Sequence, residues 1–216
     1  MADFKKAYEK TLVREGGYGN RSDDSGNWAC GILVGTHYGI SAPVLQEWIG
    51  RCPSSAEMFN LPLSTAKDIY KSRFWDVIQG DKIKNQSVAE IIFDTHVLQG
   101  GGKVNTFVGR ALNDSTVRVP FSQETVEKIN KADQERLFVD ILQQRINHVT
   151  GIGGVNLRGW LNRLETFTFK AGKALTKPIN FKQNGGELIA GGAVIFGLFL
   201  IGYYFIHLRR ENNKFT

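Results

Sequence analysis

The chain has 216 residues, 42% of them apolar, which is enough for one or two small domains with a real core. Lys and Arg outnumber Asp and Glu by 27 to 21, and the net charge of +6 favours anionic partners such as cell-wall polymers or membrane surfaces. The basic residues are scattered and no nucleic-acid motif occurs, so no nucleic-acid partner is expected; no fixed-period repeat is visible, which excludes a solenoid.

The first ten residues, "MADFKKAYEK", carry charge and no apolar run, so they do not read as a secretory signal. Phe4, Tyr8 and Leu12 recur at i, i+4 and i+8 with Ala7 beside them, which predicts a helix over residues 3 to 15. Gly16 and Gly17 end it, because glycine takes the left-handed conformation at a helix C-terminus without strain. Residues 18 to 41 are rich in Gly, Ser, Asn and Asp and read as a long irregular loop, with a short hairpin around "CGILVG". A loop of that length inside a compact body points to function. Cys30 and Cys52 are an isolated pair, not a disulfide framework; two thiols in a reducing compartment are the expectation, with a single bridge as the alternative.

The rest reads as helical. Pro43 to Ile49 is a short helix, and Ser64 is placed to cap another through "TAKDIYKSRFW". "SVAEIIFDTHVL" is a third, ended by Gly100 to Gly102, and "KVNTFVGRAL" follows. Pro120 and Ser122 open "QETVEKI". Leu137, Ile141, Leu142, Arg145, Ile146 and Val149 share one face of the longest soluble helix. "LRGWLNRLETF" closes the body, with Trp160, Leu164 and Phe167 in register for the core. A polar, basic linker runs over residues 170 to 186. Residues 188 to 206, "LIAGGAVIFGLFLIGYYFI", hold no charge over nineteen positions, and Tyr203, Tyr204, Arg209 and Arg210 close the run. That length and composition predict a single transmembrane helix over residues 187 to 208, a lipid-bilayer partner, and a basic tail over 209 to 216.

Glu15 draws attention within the predicted first helix. It falls near the buried side and at the C-terminal end, where the helix dipole is negative. Both features disfavour the ionised carboxylate, and a carboxylic acid kept protonated near neutral pH suits proton donation to a glycosidic oxygen. Gly16 and Gly17 would let a bulky polymer approach closely. On these residues alone, a glutamate that merely precedes a glycine cap is the simpler account. Asp23 and Asp24 stand in the following loop, where a second carboxylate could orient a water or serve only turn chemistry. Thr36 and Tyr38 offer hydroxyls to a water or a sugar, or are ordinary loop residues.

Five ordered stretches change that balance. "EGGYGNRSDDSGNW" and "LVGTHYGIS" resemble the N-terminal signature of glycoside hydrolase family 108, the N-acetylmuramidases of bacteria and phages. "LSTAKDIYKSRFWDVIQGDKI", "VAEIIFDTHVLQGG" and "RGWLNRLETF" are similar to later segments of that family in the same order, so the resemblance covers residues 4 to 168. It implies a mainly all-α, lysozyme-like fold, with a catalytic part over 1 to 59 and a helical peptidoglycan-binding part over 60 to 169. It implies Glu15 as the catalytic acid, with Asp24 (or Asp23) and Thr36 as water-orienting groups. Tyr18, Tyr38 and Gly39 match the motif and line the expected glycan groove, and Trp28 in the loop is the best sugar platform. The chain departs from the family pattern at Leu98, where an Asn is frequent, and in its apolar tail.

Other candidates are weaker. His37, His96, His148 and His207 have no metal-ligand spacing, so neither a metal nor another cofactor is expected. Asp81 and Asp94 could touch substrate but read more simply as helix-surface or cap residues; Trp75 and Trp160 could stack on sugars but read as core, and "GGGK" at 100 to 103 reads as a helix break. The expected function is hydrolysis of the β-1,4 bond between N-acetylmuramic acid and N-acetylglucosamine in peptidoglycan. A lytic transglycosylase on the same bond and a non-catalytic wall-binding protein are the rivals. The charges flanking the apolar run are consistent with a body on the cytoplasmic side, held to a host inner membrane or a viral membrane, as in a phage enzyme for lysis or entry.

Overall fold

A computed structural model describes residues 1–12, 17–170, 179–183 and 186–190, the last two segments as backbone. Helix α1 (Phe4–Leu12) forms where the i, i+4 pattern places it and buries Ala7, Tyr8 and Thr11. The expected last turn of that helix, with Glu15, lies outside the described residues.

The polar loop holds a 3₁₀ turn at Ser25–Asn27, then the hairpin of β1 (Trp28–Ala29) and β2 (Ile32–Leu33), with Trp28 opposite Leu33. Its two turn residues, Cys30 and Gly31, both have positive φ, as a tight two-residue hairpin turn requires. The two cysteines are not free thiols. Cys30 and Cys52 form a disulfide with Cα atoms 6.0 Å apart. The hairpin carries Cys30 across to the segment between α2 (Ala42–Ile49) and α3 (Ser55–Phe59), a proximity that sequence spacing does not express. Helix α3 opens on a capping box between Ser54 and Glu57.

Helix α4 (Leu63–Tyr70) starts after Pro62, whose extended backbone sets the boundary, so Ser64 sits inside the helix and not at its cap. Its chain runs on through a π turn at Lys71–Trp75 and two 3₁₀ turns. Trp75 is fully buried, as expected, and its indole N–H donates to Asp81 at 2.8 Å. Gly80 lies under that ring: a Cβ there would come within 2.3 Å of it, so no other residue fits. Phe4, Trp75 and Phe93 close a ring cluster with centroids 5.6 to 6.0 Å apart, which joins α1 and this turn region to α5.

Helix α5 (Gln86–Leu112) is the central element. It buries Val88, Ile91, Ile92 and Phe93 and packs against α1 and α7 (Gln134–Ile152). It breaks at the expected place: Gly100 takes a non-helical φ 77°, ψ 168°, so two helical segments meet across a kink there. Helix α6 (Gln123–Lys131) is capped by Ser122, as predicted. Helix α8 (Leu157–Leu164) lays Leu161 and Leu164 on Ile146 and Val149 of α7. Trp160, expected in the core, is only half-buried at the edge of that small cluster, while Phe167 is buried just past the helix end.

Where a linker and the start of a membrane helix were expected, β3 (Ile179–Gln183) pairs antiparallel with β4 (Gly186–Ala190). The sequence Asn184-Gly185 between the two runs is the pattern of a tight hairpin, a signal the apolar run overshadowed. No helix among the described residues is long and apolar enough to cross a membrane, and most of residues 187 to 208 lies outside them.

Candidate active site

The loop between α1 and α2 is organised around a residue the sequence reading passed over. Asn27 is 3% exposed and bonds in five directions. Its backbone N–H donates to the Asp24 carbonyl, and its own carbonyl accepts from Val34 at 2.8 Å and Gly35 at 2.9 Å. Its side-chain N–H donates to the Arg21 carbonyl at 2.9 Å, which orients the amide and leaves Oδ1 facing Thr36. The Thr36 hydroxyl must therefore be the donor across the 2.6 Å contact to Asn27 Oδ1. With its proton engaged, Thr36 Oγ1 keeps lone pairs for an incoming O–H, which suits a group that orients a water.

Thr36 is fixed from the other side by a backbone bridge. Gly19 and Thr36 exchange hydrogen bonds of 2.8 and 2.7 Å, so the chain that follows Glu15 in sequence is pinned beside the threonine. Gly35, at φ 98°, makes the approach possible: a Cβ there would come within 2.5 Å of the Tyr18 ring and 2.8 Å of the Gly19 carbonyl. The Tyr18 hydroxyl donates to the Val34 carbonyl at 3.0 Å.

An aromatic wall adjoins these residues. Tyr18 meets Phe59 edge-on at 5.4 Å and His37 at 6.3 Å, and His37 stacks on Tyr38 at 4.0 Å. Tyr38 holds a left-handed backbone, φ 49°, which costs a non-glycine residue about 1 kcal/mol or more. The Tyr70 hydroxyl bonds the Tyr38 carbonyl at 3.2 Å and helps hold it there, and Gly39 continues the turn at φ 71°. His37 Nδ1 lies 3.0 Å from the Met58 carbonyl, which can only accept, so Nδ1 carries a proton. Trp28 is 38% exposed, with its indole N–H pinned to the Ser22 carbonyl at 3.0 Å; a fixed, open ring face is what a sugar platform needs.

The two loop carboxylates have different surroundings. Asp23 is taken by a bidentate Arg21 pair at 3.0 and 2.6 Å, which holds its carboxyl below the usual carboxylate range. Asp24 Oδ1 accepts from Gly26 N–H at 2.8 Å as the cap of the 3₁₀ turn, and its second oxygen has no partner among the described residues. Of the pair, Asp24 is the one with an acceptor to spare. Tyr18, Asp24 and Thr36 thus belong to one hydrogen-bonded loop system with Tyr38 in the aromatic wall beside it, while Glu15 itself lies outside the described residues.

A second polar centre was not anticipated. Asp94 is not on a helix surface; it is fully buried between two arginines. Arg145 Nη2 reaches Oδ2 at 2.6 Å, and Arg163 reaches Oδ1 from Nη2 at 2.6 Å and from Nε at 3.1 Å. Burial pushes the Asp94 carboxyl up, but the charges and hydrogen bonds of Arg145 and Arg163 outweigh it and hold the group below the usual range. Arg163 Nη2 also donates to the Thr11 carbonyl at 2.6 Å, which ties α8 to the end of α1. The signal was present: Arg145 falls on the apolar face of its helix, where an arginine needs a buried partner.

Residues 8–100 match the family described as Glycosyl hydrolase 108. Among solved structures, that of Brucella abortus SagA is similar, with a TM-score of 0.63 and 24% identity over 74% of this chain and 88% of that one. No curated protein sequence matches the chain.

Proposed function

Because residues 8–100 form a Glycosyl hydrolase 108 domain, which makes the chain a glycoside hydrolase, we propose that it is an N-acetylmuramidase that cuts the β-1,4 bond between N-acetylmuramic acid and N-acetylglucosamine in peptidoglycan. Glu15 donates the proton to the leaving oxygen. Asp24 and Thr36 hold the attacking water, and Tyr18, Trp28, Tyr38 and Gly39 bind the glycan. Residues 1 to 59 carry the chemistry, and residues 60 to 169 hold the polymer.

The observation that carries this reading is the Asn27 junction. It joins Asp24 and Thr36 in one network, each with an acceptor unpaired among the described residues, and Thr36 in turn bridges to Gly19 in the chain that follows Glu15 in sequence. Two acceptors and a separate proton donor are what direct hydrolysis requires. No cofactor enters the proposal. The uncharged run from 188 to 206 supports membrane attachment, the setting of a phage lytic enzyme, and flotation with anionic vesicles tests it.

Mass spectrometry of the products from purified peptidoglycan tests the reaction. Free reducing ends on N-acetylmuramic acid are expected. Anhydro-muramyl ends would instead assign the chain to the lytic transglycosylases, and wall binding without sugar release would leave it a non-catalytic binder.

A further inference from the structure

The last turn of α1 is held by residues from the far end of the chain. In a continuing α-helix the carbonyl of residue 11 accepts from the N–H of residue 15, so Thr11 stands one helical turn ahead of Glu15 in sequence. The Thr11 carbonyl accepts from Arg163 Nη2 at 2.6 Å, across 152 positions of sequence. A carbonyl has two lone pairs, so this bond is compatible with a helical one, and a cation there suits the negative end of the helix dipole.

Arg163 is aimed from α5. Its Nε at 3.1 Å and Nη2 at 2.6 Å both reach Asp94 Oδ1, and Asp94 is fully buried. Arg145 takes the other oxygen, Oδ2, at 2.6 Å. One turn earlier on α5, Glu90 holds Lys10 of α1 at 2.8 Å, and Lys10 lies 4.6 Å over the Phe167 ring, just past α8. Two carboxylates spaced i, i+4 on the central helix therefore fix the end of α1, Glu90 directly and Asp94 through Arg163. The Arg163 and Lys10 side chains are only 14% and 22% exposed, so water does not compete freely for these bonds.

We propose that Arg163 is a positioning residue for the catalytic acid. Aimed by Asp94, it fixes where α1 ends, and hence the point from which the chain runs on to Glu15. The inference rests on the reading of Glu15 as the proton donor. It also makes α8 part of the catalytic unit: Arg163 lies beyond residues 8–100, the stretch that matches the glycoside hydrolase family, so that stretch alone lacks the clamp. A misplacement of about 1 Å can cost a hundredfold in rate, which is the scale on which a loosened helix end would act.

A matched pair of variants in the full chain tests this. Arg145→Gln and Arg163→Gln each remove one guanidinium from Asp94 and leave it the other. Among the described residues the hydrogen bonds of Arg145 go to Gln99 and Asp94, whereas those of Arg163 include Thr11 of α1. Each variant is assayed on soluble, uncrosslinked peptidoglycan chains at a temperature where its melt shows it fully folded. R163Q is expected to lose tenfold or more in kcat relative to R145Q, with KM within twofold of wild type. A purely structural role would lower both melting temperatures and leave kcat per folded molecule alike. Hydrogen exchange of the α1 amides gives a second reading, with faster exchange expected near Thr11 in R163Q than in R145Q. If R163Q does not fold, R163K and R145K, which keep a charge beside Asp94, are compared in the same way. An ammonium lacks the Nε–Nη2 fork, and a threefold or greater kcat difference is expected. Turnover of the Arg163 variant within twofold of its Arg145 counterpart, equal exchange in the two, or a loss confined to KM overturns the clamp, while wild-type cleavage leaves the proposed function standing. A wild type that releases no sugar sinks the proposed function, and the catalytic role of the clamp with it.

Discussion

Replacing Asp94 by Asn isolates the buried charge cluster that joins α5, α7, α8 and the end of α1. The substitution keeps the shape and removes the carboxylate that Arg145 and Arg163 share, so both guanidinium groups lose its charge in the interior. Breaking a buried pair by deleting one partner costs about 3 to 5 kcal/mol, because the surviving charge stays desolvated and unpaired. For a body of this size that corresponds to a fall in melting temperature of roughly 6 to 20 °C. The pH dependence has a definite sign. Asp94 titrates below its ordinary value when folded, so its contribution is complete above the unfolded carboxylate pKa of about 4 and is lost as pH falls through the lower folded value. Urea titrations at pH 7 and pH 5 should give the same gap between wild type and D94N, and the gap should close only well below pH 4. A loss under about 1 kcal/mol at pH 7, or a gap that shrinks between pH 7 and pH 5, would refute the assignment of the cluster as a stabilising ion network.

Three further outcomes follow from the loop. Asn27→Ala deletes two side-chain hydrogen bonds at a buried position and should cost about 2 to 3 kcal/mol in denaturant unfolding, with a larger proportional loss of glycan cleavage. Gly35→Ala must displace the Tyr18 ring and hold a strained φ, so about 2 kcal/mol or more of stability should go, and the Tyr18 ring resonances should shift in NMR spectra. Replacing Cys30 and Cys52 by Ser opens a loop closed over a separation of 22 residues and should lower stability by about 3 kcal/mol on the chain-entropy estimate, read from melts of the paired variant against the oxidised chain.

Much of the fold was legible because helix periodicity is local. The i, i+4 spacing of Phe4 and Tyr8, the Ser122 cap and the apolar face from Leu137 to Val149 each specify an element from a few neighbouring residues. What escaped depends on contacts far apart in sequence. The Cys30–Cys52 bridge needs the hairpin to swing one cysteine onto the other, and the Asp94 cluster needs three helices to converge. The break at Gly100, by contrast, was legible, because three glycines signal it locally and Gly100 takes the positive φ that glycine reaches without steric cost. In the site, residue types were readable and wiring was not. Thr36 was recognisable as a hydroxyl in a motif, whereas its proton direction follows only from the Asn27 amide, itself oriented by the Arg21 carbonyl. Likewise Asp23 and Asp24 are equivalent on paper, and only the bidentate Arg21 separates them.

The central claim is that the Glu15 carboxyl supplies the proton that releases the glycan. Single-turnover release of reducing ends from peptidoglycan by wild type and E15Q, at matched melting temperature and matched wall binding, tests it most directly. The account predicts a fall of at least a thousandfold in the rate for E15Q with binding retained. Reducing ends released by E15Q within tenfold of the wild-type rate would contradict it.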